Sequence, residues 1–252
     1  RGTATTSVKN QGQCGSCWAF SATEQIESEF MLSPLTSVDT VQQFSPQQIA
    51  SCTTVCDGCG GGDTTSAYDY LMNTVGVPGL SSDWFVPYVQ GMTPTNECTG
   101  ASCTQTCDYN LTQLVTDAFY IGPYGKIQNF SYATDPSLCD EVSLHCNDMD
   151  EATLQSNLNN APASICVNAG AWDSYTGGVL TSAACGNNGN LAIDHCVQAV
   201  GYNATAEIPY WIVRNSWSTN WGEEGYIYLG MGNNTCGLCN EATVVDVTAD
   251  SA

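Results

Sequence analysis

The chain has 252 residues, 15 of them cysteine, and 4 Lys+Arg against 25 Asp+Glu give a formal net charge of −21 at pH 7. Four scattered cations (Arg1, Lys9, Lys126 and Arg214) cannot neutralise a phosphate backbone or an anionic bilayer, which excludes nucleic acid and membrane surfaces as partners. No apolar run approaches the roughly 18 residues of a spanning helix, no signal sequence opens the chain, and its first residues read as a processed or trimmed N-terminus.

In chain order, Ala19, Ala22, Ile26 and Phe30 fall on one face at helical spacing and predict a helix opening near Cys17. A second helix is predicted at Ser45-Pro46-Gln47-Gln48, with serine as N-cap, proline at the first helical position and glutamine three residues after the cap. A third spans Thr65 to Met72, after the glycine run Gly60-Gly61-Gly62. Residues 94–110 and 133–150 read as loops rich in Thr, Ser, Asp and Cys, and an acidic helix follows from Asp150 to Leu158. Strand character is carried by Ala163–Ala169, Ile193–Tyr202, Pro209–Arg214, Tyr226–Leu229 and Thr243–Val247. Helices first and strands later imply an α+β arrangement of two lobes, 1–115 mainly helical and 116–252 rich in β-structure, within one domain.

Fifteen cysteines are too many for a reducing cytosol unless they bind metal. Metal-like spacing exists at Cys52-x3-Cys56-x2-Cys59, Cys103-x3-Cys107 and Cys236-x2-Cys239. These clusters lie far apart in sequence, and the chain has only two histidines, His145 and His195. Disulfides are therefore the expected use, with no metal and no cofactor. Four N-x-S/T sequons, at Asn110, Asn129, Asn203 and Asn233, agree with a secretory route ending in a lysosome, a vacuole or the exterior. The count is odd, so pairing fourteen cysteines leaves one thiol to explain.

The most informative segment is Gln11-Gly12-Gln13-Cys14-Gly15-Ser16-Cys17-Trp18-Ala19-Phe20. Glycine and serine leave the backbone adaptable just before a helix and place Cys17 at its N-terminus, where amide N–H groups and the dipole favour a thiolate, the nucleophilic form. The competing reading makes Cys17 one more disulfide half, although Cys14 can supply a structural bond in its place.

This segment resembles the nucleophile segment of the papain-like cysteine peptidases, the papain and cathepsin family. Asp194-His195-Cys196-Val197-Gln198-Ala199-Val200-Gly201-Tyr202 is similar to that family's histidine strand. Tyr210-Trp211-Ile212-Val213-Arg214-Asn215-Ser216-Trp217, with Trp221-Gly222-Glu223-Glu224-Gly225-Tyr226, is similar to its asparagine segment. With Cys59-Gly60-Gly61-Gly62 and Cys236-Gly237-Leu238, the similarity covers most of the chain.

The resemblance implies a helical lobe, a β-barrel-like lobe and an active-site cleft between them. It implies a thiol endopeptidase acting on protein or peptide substrates, with a propeptide or protein inhibitor as a further occupant of the cleft. Cys17 would attack the scissile carbonyl, and His195, as imidazolium, would later protonate the leaving amine. Asn215 would hold the imidazole ring and Trp217 would shield that bond. The Gln11 amide and the backbone N–H of Cys17 would form the oxyanion hole. Gly61, Gly62 and Asp194 would join the substrate-binding positions. His145, the competing base, lies between Cys139 and Cys146 among carboxylates, where a solvated role is expected. No paired-histidine segment resembles the occluding loop of cathepsin B, which favours endopeptidase over carboxydipeptidase activity. The alternatives are a catalytically silent glycoprotein of the same fold, with a binding or structural role, and a zinc-stabilised binding module.

The chain departs from the family pattern in several places. His195 and Asn215 follow Cys17 by 178 and 198 residues, against about 130–150 in the family. The surplus falls in the cysteine-bearing stretches around 94–108 and 133–150, which are expected to be surface insertions. Gly60 stands where papain has asparagine, and Ser218 where glycine is usual. The resemblance supports disulfides Cys14–Cys59, Cys52–Cys98 and Cys185–Cys236, and Cys139–Cys146 is a plausible local bridge. By alignment, Cys166 and Cys196 line the pocket for the second substrate residue before the scissile bond, with Glu241 at its base. The two cysteines either bond and stiffen that pocket or stay separate. Glu241 either favours a basic side chain there or faces water. The charge imbalance predicts comfort in an acidic compartment or a salty exterior, where self-repulsion is weaker.

Overall fold

A computed structural model describes residues 4–33, 43–89, 107, 125–135, 139–140, 145–146, 150–186 and 192–248. Cys98, Asn110 and most of the 94–108 insertion lie outside these residues. The chain forms two units: unit 1 holds Arg1–Thr6, Gln11–Phe130 and Val245–Ala252, and unit 2 holds Ser7–Asn10 and Ser131–Val244.

Unit 1 carries α1 (Cys17–Leu32), α2 (Pro46–Cys52) and α3 (Thr64–Asn73). The serine-proline start of α2 behaves as its chemistry demands: Ser45 Oγ accepts the Gln48 N–H at 3.0 Å, and Pro46, which has no N–H, opens the helix. α3 begins one residue before Thr65 because Asp63 takes the cap, its carboxylate accepting the Thr65 N–H at 2.6 Å. α1 departs from the single apolar face that its periodicity predicts. Besides Trp18, Phe20, Ile26 and Phe30, it buries Ser21, Thr23, Glu24, Gln25, Glu27 and Ser28.

Full burial of each large apolar side chain contributes roughly 1.5–3 kcal/mol, whereas buried polar groups cost free energy unless bonded. Glu27 is bonded at both carboxylate oxygens, to the Thr6 hydroxyl and to the Phe44 N–H at 2.8 Å. Gln48 plays the same part in α2, donating to Gly79 O at 3.0 Å and accepting the Ser81 N–H at 2.7 Å.

Among the described residues two disulfides staple this unit, Cys14–Cys59 and Cys52–Cys107. The second corrects the expected Cys52–Cys98 pair. A sulfur makes one disulfide, and the inserted stretch brings Cys107 to a Cα–Cα distance of 4.8 Å from Cys52 at the end of α2.

Unit 2 carries α4 (Glu151–Leu158), α5 (Ser182–Cys185), β2 (Cys139–Asp140), β3 (His145–Cys146), β4 (Ala163–Val167), β5 (Val179–Leu180), β6 (His195–Asn203), β7 (Tyr210–Arg214) and β8 (Tyr226–Gly230). Two strands, β1 (Ile127–Tyr132) and β9 (Glu241–Val247), run along the chain from one unit into the other. The main sheet has the order β1-β9-β4-β6-β7-β8-β5. The β9–β4, β4–β6, β6–β7 and β7–β8 pairs are antiparallel, and β5 lies parallel to β8. Among the described residues its end strands β1 and β5 do not pair, so the sheet is open where the sequence implied a barrel-like lobe. Its core packs Leu154, Ile165, Val167, Trp172, Val197, Trp211, Val213, Ile227, Leu229 and Leu238.

The strands differ from their sequence expectation for physical reasons. β4 ends at Val167, two residues early, because the Asn168 N–H turns to Cys236 O at 2.8 Å. β1 escaped notice because only Ile127 of its six residues is buried, so it has no alternating pattern. The 133–150 stretch, expected as loop, contains the two-residue ladder β2–β3 with Cys139 opposite Cys146. The side chains of that pair, and that of His145, lie outside the described residues.

Candidate active site

In unit 1 the thiol is built from the helix start upward. Gly15 allows the loop to approach the 58–60 turn: its N–H donates to Cys59 O at 3.0 Å, and a Cβ there would stand 2.5 Å from that oxygen. The Cys14–Cys59 disulfide locks the same approach. Trp18 anchors the helix from below, fully buried with its Nε1–H on Gly58 O at 3.1 Å. Cys17 is the first residue of α1, half-buried and outside the disulfides. Ser16, the N-cap residue, makes no side-chain cap bond to the helix. Its hydroxyl lies instead 2.8 Å from that of Tyr88. Gln11 is buried, and its amide Nε2 donates to Cys14 O at 2.9 Å. Gly61 and Gly62 continue the 58–60 turn beside Trp18, whose ring would meet a Cβ on Gly62 at 2.4 Å.

In unit 2 the imidazole is placed by strand alternation. His195 opens β6 on the same face as the core residues Val197 and Ala199 and is buried. Trp172 meets the ring edge-on at 5.7 Å and Trp217 lies over it at 4.8 Å. Its Nε2 lies 2.7 Å from Asn215 Oδ1, which also accepts the Ser216 N–H at 2.8 Å. A backbone N–H must meet oxygen, so the amide orientation is assigned and Nε2 is the protonated ring nitrogen; Nδ1 keeps the basic lone pair. Burial pushes the His195 pKa down to about 4, against the opposing effects of the Asn215 hydrogen bond and the Asp194 charge.

Cys166 and Cys196 form a disulfide between directly opposed residues of β4 and β6. Glu241 stands opposite Cys166 on β9, half-buried, with Oε1 3.6 Å from its sulfur. Cys185–Cys236 is also bonded. Asp194 is exposed and accepts the Ala169 N–H at 2.8 Å, bracing the turn that carries Trp172. Cys56 and Cys239 join Cys17 outside the disulfides, so the parity expectation of one thiol gives way to three among the described residues. Cys239 is buried in the apolar core, where a thiol packs as a small hydrophobe. Asn129 and Asn233 are exposed, whereas Asn203 is half-buried with Oδ1 accepting the Thr205 N–H at 3.1 Å. Among the described residues no cluster of three His, Cys, Asp or Glu could hold a metal.

Sequence reading missed Tyr88 and Trp172. A lone tyrosine or tryptophan carries no local signal of which distant group it touches. Burial holds the Tyr88 hydroxyl protonated, its pKa pushed up to about 12, with a smaller contribution from Cys17.

A sequence profile described as papain family cysteine protease matches residues 1–245. The chain is 34% identical over 242 residues to a cysteine proteinase of Trypanosoma brucei brucei, covering 95% of this chain and 44% of that protein. It is 35% identical over 250 residues to cysteine proteinase B of Leishmania mexicana, covering 99% and 47%. The chain thus spans about half the length of these relatives. Its fold is similar to the bromelain protease from Ananas comosus in complex with the E64 inhibitor, at TM-score 0.72 and 24% identity, covering 97% of this chain and 95% of that one. It is also similar to the Amb a 11 cysteine protease of ragweed pollen in its proform, at TM-score 0.71 and 26% identity, covering 97% and 62%.

Proposed function

Because the chain belongs to the papain family of cysteine proteases, we propose that it is a thiol endopeptidase whose reaction is carried by Cys17, His195 and Asn215. The observation that carries this reading is the Nε2–Oδ1 bond of 2.7 Å, which leaves the imidazole Nδ1 as a base. Nδ1 takes the Cys17 proton, and the thiolate, favoured at the start of α1, attacks a peptide carbonyl carbon. The resulting oxyanion is held by the backbone N–H of Cys17 and the Gln11 amide. The imidazolium gives its proton to the leaving amine, the C–N bond breaks, and a thioester remains. Water activated by Nδ1 then attacks the thioester, expels the thiolate and releases the acid. The thiolate is the anion that offsets the burial cost of charging His195.

Peptides are the substrates in this reading, and a propeptide or protein inhibitor would use the same groups. The four disulfides among the described residues support folding in an oxidising compartment. No helix among the described residues is long and apolar enough to cross a membrane.

Titration with a thiol-directed epoxide, followed by mapping of the label, tests the reading. One equivalent on Cys17 with complete loss of peptide hydrolysis is expected. Labelling confined to Cys56 or Cys239, or turnover by Cys17→Ala, would overturn it. A catalytically silent chain would show no turnover in the wild type.

A further inference from the structure

The Tyr88 side chain makes two different kinds of contact. Its ring meets Phe20 edge-on at 4.7 Å, an ordinary packing contact on α1. Its hydroxyl lies 2.8 Å from the backbone carbonyl oxygen of Gln11 and 2.8 Å from Ser16 Oγ. A carbonyl can only accept, so the single Tyr88 hydroxyl proton goes to Gln11, and Ser16 donates to Tyr88. The chain of hydroxyls therefore has one direction, from Ser16, the residue before α1, to the residue whose amide is assigned to the oxyanion.

Gln11 is thereby held twice, by its main-chain oxygen on Tyr88 and by its side-chain nitrogen on Cys14 O at 2.9 Å. An amide nitrogen carries two protons, and the bond to Cys14 employs one of them. With main chain and side chain both tethered, the direction of the second N–H is set before any substrate arrives. Catalysis by hydrogen-bond donors depends on such preorganisation, because a donor that must reorient at the moment of reaction loses much of its effect.

We propose that Tyr88 is a positioning residue for peptide hydrolysis, its hydroxyl orienting Gln11 for the oxyanion. This rests on the reading of Cys17 and Gln11 given above. Tyr88 touches neither substrate nor the reacting sulfur in this account and acts through Gln11.

The test is a double-mutant cycle of Tyr88→Phe with Gln11→Ala, which keeps the ring on Phe20 and removes the hydroxyl. Steady-state rates on a fluorogenic peptide amide, affinity for a peptide aldehyde, the rate of Cys17 alkylation by iodoacetamide and Tm are read for each chain. The aldehyde adduct carries an oxyanion, whereas alkylation does not. In Tyr88→Phe, kcat is expected to fall about tenfold with KM within about twofold, the scale of a modest misplacement of a catalytic group. Aldehyde affinity falls in step, and the alkylation rate stays near wild type. In the Gln11→Ala background the same change costs less than about twofold.

Equal costs in both backgrounds, a parallel fall in alkylation, or a Tyr88→Phe chain that does not fold would overturn the proposal. Each of these would make the hydroxyl a general structural group. Hydrolysis by Cys17→Ala, in contrast, would sink the reading beneath it, so the two failures are distinguishable.

Discussion

Asn215 Oδ1 accepts from two directions at once, the His195 ring at 2.7 Å and the Ser216 N–H at 2.8 Å. The second bond makes the first unambiguous. It identifies the amide oxygen, assigns the proton to Nε2 and leaves Nδ1 as the basic nitrogen. Trp172 and Trp217 cover the ring and hold it against Asn215.

This arrangement predicts the titration of His195. The chain has only two histidines, so their ring signals are separable by NMR with His145→Ala as the reference. In Cys17→Ala the His195 midpoint is expected near the low value, about 4, that burial imposes. In the reading proposed above the Cys17 thiolate supplies an anion, and a higher midpoint is expected in the wild type. Since the folded pKa in Cys17→Ala is below the ordinary 6.5, that variant loses stability as pH falls from about 6.5 to about 4. Identical midpoints in the two chains would separate the ring from the thiol.

Glu29 on α1 predicts a second pH dependence. Burial, then the charge of Asp246, raises its carboxyl from 4.5 to about 7. The folded chain holds this proton more tightly than the unfolded one, so the contribution is complete below about 4.5 and lost as pH rises to about 7. Glu29→Gln keeps a neutral side chain at every pH. Relative to wild type it is expected to gain on the order of 1 kcal/mol at pH 8, discounted for partial exposure, and nothing near pH 4. Tm measured across this range reads the difference.

Glu151 is a buried carboxylate that accepts three bonds, from Trp211 Nε1 at 3.2 Å, Gly232 N at 2.7 Å and Asn234 N at 2.7 Å. It ties α4 to β7 and to the turn after β8. Glu151→Ala orphans two buried donors, Trp211 Nε1 and Asn234 N, besides the N–H of exposed Gly232, and is expected to cost about 3 kcal/mol in urea unfolding, with Glu151→Gln costing less. A change under about 1 kcal/mol would show that water replaces the carboxylate.

Ser218 has φ +75°, in the region that favours glycine, and its N–H donates to Lys9 O at 3.0 Å. The family's usual glycine at this position therefore has a backbone reason. Ser218→Gly relieves the left-handed strain, partly offset by the greater freedom of the unfolded chain, and a gain of about 0.5–1 kcal/mol is expected. A lower Tm would mean that the serine hydroxyl, 3.3 Å from the Asn220 nitrogen, outweighs the strain.

Glu241 beside the Cys166–Cys196 disulfide predicts a substrate preference. Glu241→Gln keeps the shape and removes the charge, so the ratio of kcat/KM for Arg over Leu, at the second residue before the scissile bond, should fall about five- to tenfold if the carboxylate meets the substrate. An unchanged ratio places the carboxylate in water.

Short-range chemistry was legible without coordinates. The cap of α2, the start of α1 at Cys17 and the core strands β6, β7 and β8 follow from neighbours a few residues apart, because capping and periodicity are local effects. α1 was legible in position but not in burial. Its apolar face is written in the sequence, whereas the partners that let Glu27 go inside, Thr6 and Phe44, are not.

Helix starts, the alternation of the main strands and the motifs around Cys17, His195 and Asn215 were determined by the order of residues alone. Tertiary structure decided that Cys52 takes Cys107, that Cys166 takes Cys196, which ring nitrogen of His195 is basic, and that Tyr88 binds both Ser16 and Gln11. Each of these is a choice among chemically equal partners far apart along the chain. Bond distance and direction make that choice, and only the folded backbone specifies them.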